Sequence, residues 1–183
     1  MRKALMIIDP QIDFISGSMP VFGALEAMKE LVNYVRNTDG KYVCKIVSAV
    51  WHPSDHFSFT VNGGQWPVHC LQNDRGAEIY QPLHDELLIS KGKLFIFNKG
   101  DSSDREEYSL FKNKYASESV DKLIKEFEID RIDICGIAGD LCVCDTLVDG
   151  VERYGKDMFN VLLPYTPSFD GGIMLRETIK RVL

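Results

Sequence analysis

Ile132-Asp133-Ile134-Cys135-Gly136-Ile137-Ala138-Gly139-Asp140-Leu141-Cys142-Val143 is the stretch whose reading decides the fold. Its first four residues are mostly β-branched and apolar, which reads as a buried strand. Glycines and an acidic residue then interrupt the run, and from Cys142 onward Val143, Leu147, Val151 and Tyr154 recur at helical spacing. The segment is therefore a strand passing directly into a helix, with Cys142 on the first helical turn. Free N–H groups and the dipole at a helix start favour a thiolate, and any oxyanion formed beside it. A small, apolar core cysteine fits the same segment equally well, because free Cys is among the most buried residue types.

Working outward, strands alternate with helices along the whole chain. Leu5 to Ile8, Tyr42 to Trp51, Leu94 to Phe97 and Phe159 to Leu163 read as further strands. Leu25, Met28, Leu31, Val32 and Val35 mark a helix that Asp39-Gly40 ends. Val120, Leu123, Ile124 and Phe127 mark another, and a last helix runs near Met174 to Val182. This order predicts an α/β fold with three αβα layers, a doubly wound and mostly parallel sheet of five or six strands, and helices on both faces. One domain spanning 1–183 is expected, with a terminal strand lacking after Leu183. His52 to Gln81 and Gly100 to Ser117 are read as long irregular stretches, each following a strand end, where function tends to concentrate.

Composition narrows the class. With 183 residues, 45% of them hydrophobic, the chain can bury one sizeable core. A net charge of −6 and the lack of a Lys/Arg block argue against nucleic acid or anionic membrane as partners. Five cysteines without framework spacing fit reduced thiols in a cytoplasmic protein. Asp9 and Pro10 cut short the apolar run at the start, so no export signal and no membrane span are expected.

In doubly wound folds, ligands bind beyond the carboxyl ends of the strands. Those ends carry Asp9, Trp51-His52-Pro53, Asn98-Lys99-Gly100 and the Cys142 turn. A carboxylate, histidines, a lysine and a cysteine thus converge on one sheet edge, supplying the base, cation and nucleophile of an acyl-transfer site. Each has an ordinary reading as well, Asp9 as a turn cap and Lys99 as a solvated lysine.

Five motifs tie these residues together: Asp9-x-Gln11-x-Asp13-Phe14, Trp51-His52-Pro53-x-x-His56-x-Ser58-Phe59, Trp66-Pro67-x-His69-Cys70, Lys99-Gly100 and Gly136-Ile137-Ala138-Gly139-Asp140-x-Cys142-Val143. In order and spacing they resemble the isochorismatase-like cysteine hydrolases, and within these the nicotinamidase/pyrazinamidase group. The resemblance implies that Cys142 is the nucleophile, Asp9 the general base and acid, and Lys99 the third catalytic residue. It places the oxyanion hole on the backbone N–H groups of Ala138 and Cys142, and a cis peptide between Ile137 and Ala138. Phe14 and Trp66 match the family's aromatic walls for a pyridine ring. The implied reaction is hydrolysis of a small amide, nicotinamide to nicotinate and ammonia through a thioester, with no organic cofactor. A homo-oligomer is implied as well.

The same resemblance implies a divalent metal, most simply Zn²⁺, on His52, His56 and His69. Here the chain departs from the pattern: Val50 occupies the position of the family's Asp ligand, so a weakly occupied three-histidine site is expected. Asp55 is near in sequence but is not expected to compensate, and a metal-free pocket whose histidines hydrogen-bond the substrate is the competing reading. Gly139 stands where many relatives carry Thr. In relatives the loop comparable to Asp101–Ser109 serves as a subunit contact or a cover, and a solvated loop fits this polar stretch at least as well. Other small amides (carbamoyl, ureido or maleamate-like) remain alternative substrates. So do an idle binding or assembly subunit and a redox sensor built on Cys142 and Cys144.

Overall fold

A computed structural model describes all 183 residues. Its elements are β1 (Lys3–Ile8), α1 (Ile12–Ile15), α2 (Ala24–Asn37), β2 (Tyr42–Val50), α3 (Gln81–Ile89), β3 (Lys93–Lys99), α4 (Lys114–Glu126), β4 (Arg131–Gly136), α5 (Cys144–Tyr154), β5 (Phe159–Val161) and α6 (Ile173–Val182). The five strands form one all-parallel sheet in the order β3-β2-β1-β4-β5. Ile7 lies between Val47 on β2 and Cys135 on β4, so β1 is the central strand.

Alternation along β1 assigns the two faces, because successive side chains in a strand point to opposite sides. Leu5 and Ile7 pack with Met28 and Leu31 of α2 and with Leu83 and Leu87 of α3. Ala4, Met6 and Ile8 pack with Val120 and Leu123 of α4, Leu147 of α5 and Leu175 of α6. The result is three αβα layers. β1 is buried on both faces, which is why it carries no polar residue between Ala4 and Ile8. The chain winds from β1 to β2 and β3 by way of α2 and α3, then returns through α4 to place β4 beside β1. The strand order reverses at β1 and β4, the position where a crevice opens in such sheets. No helix is long and apolar enough to cross a membrane.

Three elements differ from the sequence reading. Helix α3 falls between the His52–Gln81 stretch and β3, where the sequence reading places no element: Leu88 and Ile89 are exposed while Leu83 and Leu87 are buried, so its apolar residues show no clean helical stripe. Gly139–Val143 is a π turn preceding α5, which starts at Cys144. The i→i−5 bond from Val143 N to Ala138 O, 3.1 Å, closes that turn and puts Cys142 inside it rather than on the first turn of a regular helix. β5 ends at Val161, because a 3₁₀ turn holding Pro164 follows at once.

Candidate active site

β1 ends by delivering Asp9 into the crevice with a φ of +46°, in the left-handed region that few non-glycine residues adopt. Ser48, on β2, fixes the carboxylate: its hydroxyl donates to Asp9 Oδ1 at 2.7 Å, and its carbonyl accepts from Asp9 N at 3.1 Å. Lys99, the last residue of β3, brings Nζ to 2.9 Å from Asp9 Oδ2. Both side chains are buried, and Oδ2 itself accepts no aligned hydrogen bond. Lys99 Nζ also donates to Glu107 O at 3.0 Å and to Cys142 Sγ at 3.4 Å. Asp9, Lys99 and Cys142 therefore meet in one buried cluster at the carboxyl edge of the sheet.

The charges in this cluster support one another. Burial alone would lower the Lys99 pKa, but Asp9 and Cys142 outweigh it and hold the ammonium above its ordinary value. Burial pushes the Cys142 thiol up; Lys99 opposes this, and the charge of Asp9 adds to it. The balance favours the thiol over the thiolate expected from a helix start.

The peptide between Ile137 and Ala138 is cis. Ala138 N–H has no acceptor within the protein and lines the same cavity as Cys142. At Gly139, a Cβ would meet Ser168 Oγ at 2.2 Å and Thr166 O at 2.9 Å. The 166–168 segment therefore occupies the space that a larger residue in the Cys142 turn needs. Asp140 secures the continuation of this segment by accepting from the N–H groups of Phe169 and Asp170, both at 3.1 Å.

The motif residues around Asp9 organise the neighbouring loops. Gln11 clamps the end of β2, accepting from Val50 N and donating to Val50 O, both at 2.7 Å. Asp13 Oδ2 accepts from Cys70 N at 2.7 Å, which draws the His69-Cys70 segment toward α1.

Three histidines collect beside this frame with different partners. His52 Nδ1 bonds Gly100 O at 2.7 Å and His69 Nδ1 bonds Pro67 O at 2.8 Å. A carbonyl can only accept, so both rings carry their proton on Nδ1 and keep an Nε2 lone pair. Burial lowers the His52 pKa to about 3 and lowers that of His69, so both are neutral. His56 is committed at both nitrogens: Nε2 donates to Arg105 O at 3.1 Å, and Nδ1 accepts from Ser58 Oγ at 2.7 Å. Gly100 has a φ of +67°, and a Cβ there would meet the His52 ring at 2.6 Å, so glycine is needed where Lys99 and His52 converge.

Of the readings open for Asp101–Ser109, a cover agrees with its place in the wall and a solvated loop does not. Glu107 is 3% exposed, and its Oε2 accepts from Gly100 N at 2.7 Å and Asn113 Nδ2 at 3.0 Å, tying the loop to β3 and to the cap of α4. Glu106 and Tyr108 line the cavity, and Tyr108 OH accepts from Trp66 Nε1 at 2.9 Å. The cavity has a volume of about 390 Å³ including its mouth, and Phe14, Trp66, Leu141 and Phe169 supply its apolar surface. Trp66 and Phe169 stack with centroids 6.4 Å apart. Phe169, Tyr108 and Glu106 were not read as site residues: their loops follow β3 and β5, but nothing local in an irregular stretch says which side chain turns into the cavity. Asp55 is exposed and does not reach the cavity.

Two neutral imidazoles with free Nε2 atoms, facing a cavity that also holds a carboxylate, fit a divalent cation of the zinc type.

The isochorismatase domain model matches residues 3–161. The chain belongs to the isochorismatase-domain family. The match takes in all five strands and with them Asp9, Lys99, Cys142 and the three histidines, while α6 and the Phe169 segment lie beyond it. Within the family the chain is similar to the nicotinamidase of Saccharomyces cerevisiae, 29% identical over 90% of this chain and 87% of that protein. The yeast nicotinamidase structure bound to the inhibitor nicotinaldehyde is 26% identical and superposes with a TM-score of 0.83, covering 98% of this chain and 96% of that one. A pyrazinamidase of Pyrococcus horikoshii, solved in complex with zinc, is 27% identical with a TM-score of 0.81, covering 100% of this chain and 97% of that one.

Proposed function

We propose that this isochorismatase-family protein is a cysteine-dependent amidohydrolase that converts nicotinamide and water to nicotinate and ammonia. The observation that carries this reading is the buried meeting of Asp9, Lys99 and Cys142 beside the free N–H of Ala138. Similarity to nicotinamidases over most of the chain supports the substrate class, and so does a cavity whose walls are aromatic. We take residues 1–183 as one hydrolase domain, since both helical layers pack on a single sheet. Five free, buried cysteines suit a reducing cytoplasm.

The geometry sets the sequence of proton movements. Asp9 Oδ2, the oxygen without an aligned donor, takes the proton from Cys142 as the sulfur attacks the carboxamide carbon. Lys99, at 3.4 Å from that sulfur, offsets its developing negative charge. The N–H groups of Ala138 and Cys142 receive the oxyanion; one such donor is worth about 2.7–4 kcal/mol of barrier. Asp9 returns the proton to nitrogen as the C–N bond breaks and ammonia leaves. The same carboxylate then takes a proton from water as the water cleaves the thioester and releases the free thiol. Each proton accepted is returned, so the enzyme ends as it began. Phe14, Trp66 and Phe169 hold a planar ring and exclude water from the reacting carbon. His52 and His69 would hold a divalent ion, most simply Zn²⁺, through their Nε2 atoms. Such an ion supplies a Lewis-acidic anchor for a ring nitrogen.

Steady-state release of ammonia from nicotinamide by the purified protein tests the proposal, with Cys142→Ala as control. Turnover by wild type that disappears in Cys142→Ala is the expected result; no turnover with or without added Zn²⁺ overturns it.

A further inference from the structure

Val50 leaves the end of β2 without a carboxylate, and the cavity obtains one from elsewhere. We propose that Glu106, in the loop after β3, completes the cation site with His52 and His69. The proposal rests on the metal-binding reading above and extends it to a ligand from another segment. Three observations lead there. First, Val50 and Glu106 line the same cavity, so a carboxylate on Glu106 opens into the space that one at position 50 would reach. Second, His52 and Glu106 bring ligand-type atoms within 4.8 Å of each other, with His56 as a third such neighbour, and His69 lines the same cavity. For His52 and Glu106 a small movement suffices to share an ion bound at about 2.0–2.2 Å.

Third, Glu106 is a half-buried carboxylate that no basic side chain neutralises: it has no ion-pair partner, and its only hydrogen bond is from Glu107 N to Oε1 at 3.2 Å. A half-buried charge without a partner is costly, and a divalent cation between it and two imidazoles removes that cost. Glu107, by contrast, is fully engaged in holding the loop. His56, with both nitrogens committed and no surface on the cavity, acts as a positioning residue. Its bond to Arg105 O fixes the backbone next to Glu106. The set is thus two histidines from the long stretch after β2 and one carboxylate from the loop after β3.

Zn²⁺ binding to the metal-stripped protein, measured by competition with a chromophoric chelator, tests this, with circular dichroism verifying that each variant is folded. Glu106→Gln preserves the shape and removes the charge; it should weaken Zn²⁺ binding about 10- to 100-fold or more. Val50→Asp should change the wild type little, yet restore most of the lost affinity in the Glu106→Gln background. The absorption bands of bound Co²⁺ should shift in Glu106→Gln and not in Glu107→Gln. Unchanged Zn²⁺ affinity in Glu106→Gln, with binding lost in His52→Ala, overturns the role of Glu106 and leaves the metal site standing. No Zn²⁺ binding by the wild type overturns both.

Discussion

Cys142 keeps its proton at rest because burial and the neighbouring carboxylate outweigh the pull of Lys99. The sign of this shift has a consequence for chemistry. Only the thiolate is alkylated, so a thiol whose pKa is raised reacts faster with each pH unit beyond the ordinary value of about 8.5. Alkylation of Cys142 by iodoacetamide, followed by peptide mass spectrometry, should therefore climb through pH 9 without levelling. A plateau below pH 7 would mean a preformed thiolate and would sink the assignment of Asp9 as proton acceptor during attack. Cys142→Ala should lower turnover by about 10⁴-fold or more, as removal of a nucleophile does in other covalent hydrolases. Cys144, buried two residues further on, should tolerate alanine with most activity kept. Asp9→Asn should cut kcat severely while leaving KM for nicotinamide near its starting value, since the residue contacts the reacting thiol rather than the ring. A rise in KM with kcat preserved would assign Asp9 to binding alone.

The elements that carry Asp9, Lys99 and Cys142 were legible because strand ends are local features: an apolar run stops, and the next polar residue stands at the sheet edge. The three could be placed together from strand alternation and chain order alone. What lay hidden depends on contacts between distant segments. Glu106 sits in a polar stretch that looks solvated, and its place on the wall follows from Glu107 bonding Gly100 and Asn113. The π turn at Gly139–Val143 depends on one i→i−5 bond, and α3 buries too few of its apolar residues to show a stripe. Gly139 offers a test of how tightly the turn is packed. A methyl group there meets Ser168 Oγ at 2.2 Å and the Thr166 carbonyl at 2.9 Å, closer than packed atoms allow. Gly139→Ala should therefore destabilise the protein by about 1–3 kcal/mol, as overpacking does. It should also displace the Phe169 segment and raise KM. Urea denaturation midpoints identical to wild type would show that the 166–168 segment yields freely.

Across the whole molecule, chemistry and anchoring occupy opposite edges of one sheet. The reactive cluster lies at the carboxyl ends of β1, β3 and β4, whereas Asp133, early in β4, ties down the other edge. It is 1% exposed and accepts from Tyr42 OH at 2.8 Å and Asn160 Nδ2 at 2.9 Å, with Lys41 Nζ at 3.2 Å and Lys3 Nζ at 3.8 Å. Within an apolar run, this aspartate had no partner visible in the sequence; Tyr42 and Asn160 reach it only once β2 and β5 are in place. Burial alone would raise its pKa, but the hydrogen bonds from Tyr42, Asn160 and Lys41 outweigh burial and hold it below the ordinary value. A carboxyl depressed on folding adds stability above its unfolded pKa, about 3.9, and that contribution is lost as pH falls from there through the folded value. Asp133→Asn removes the titration and keeps the shape. At pH 7 the variant should be less stable than wild type by about 1.5–3 kcal/mol, the scale of hydrogen bonds to a charged group, because Lys41 is exposed and water takes up its charge. The gap should narrow as pH drops below 4, because the wild type then loses what the variant already lacks. Turnover of nicotinamide by folded Asp133→Asn should match wild type, the residue being remote from Cys142. Urea midpoints measured from pH 7 to pH 3 decide it: a gap that stays constant or widens toward acid means that Asp133 is not the carboxylate anchoring this edge.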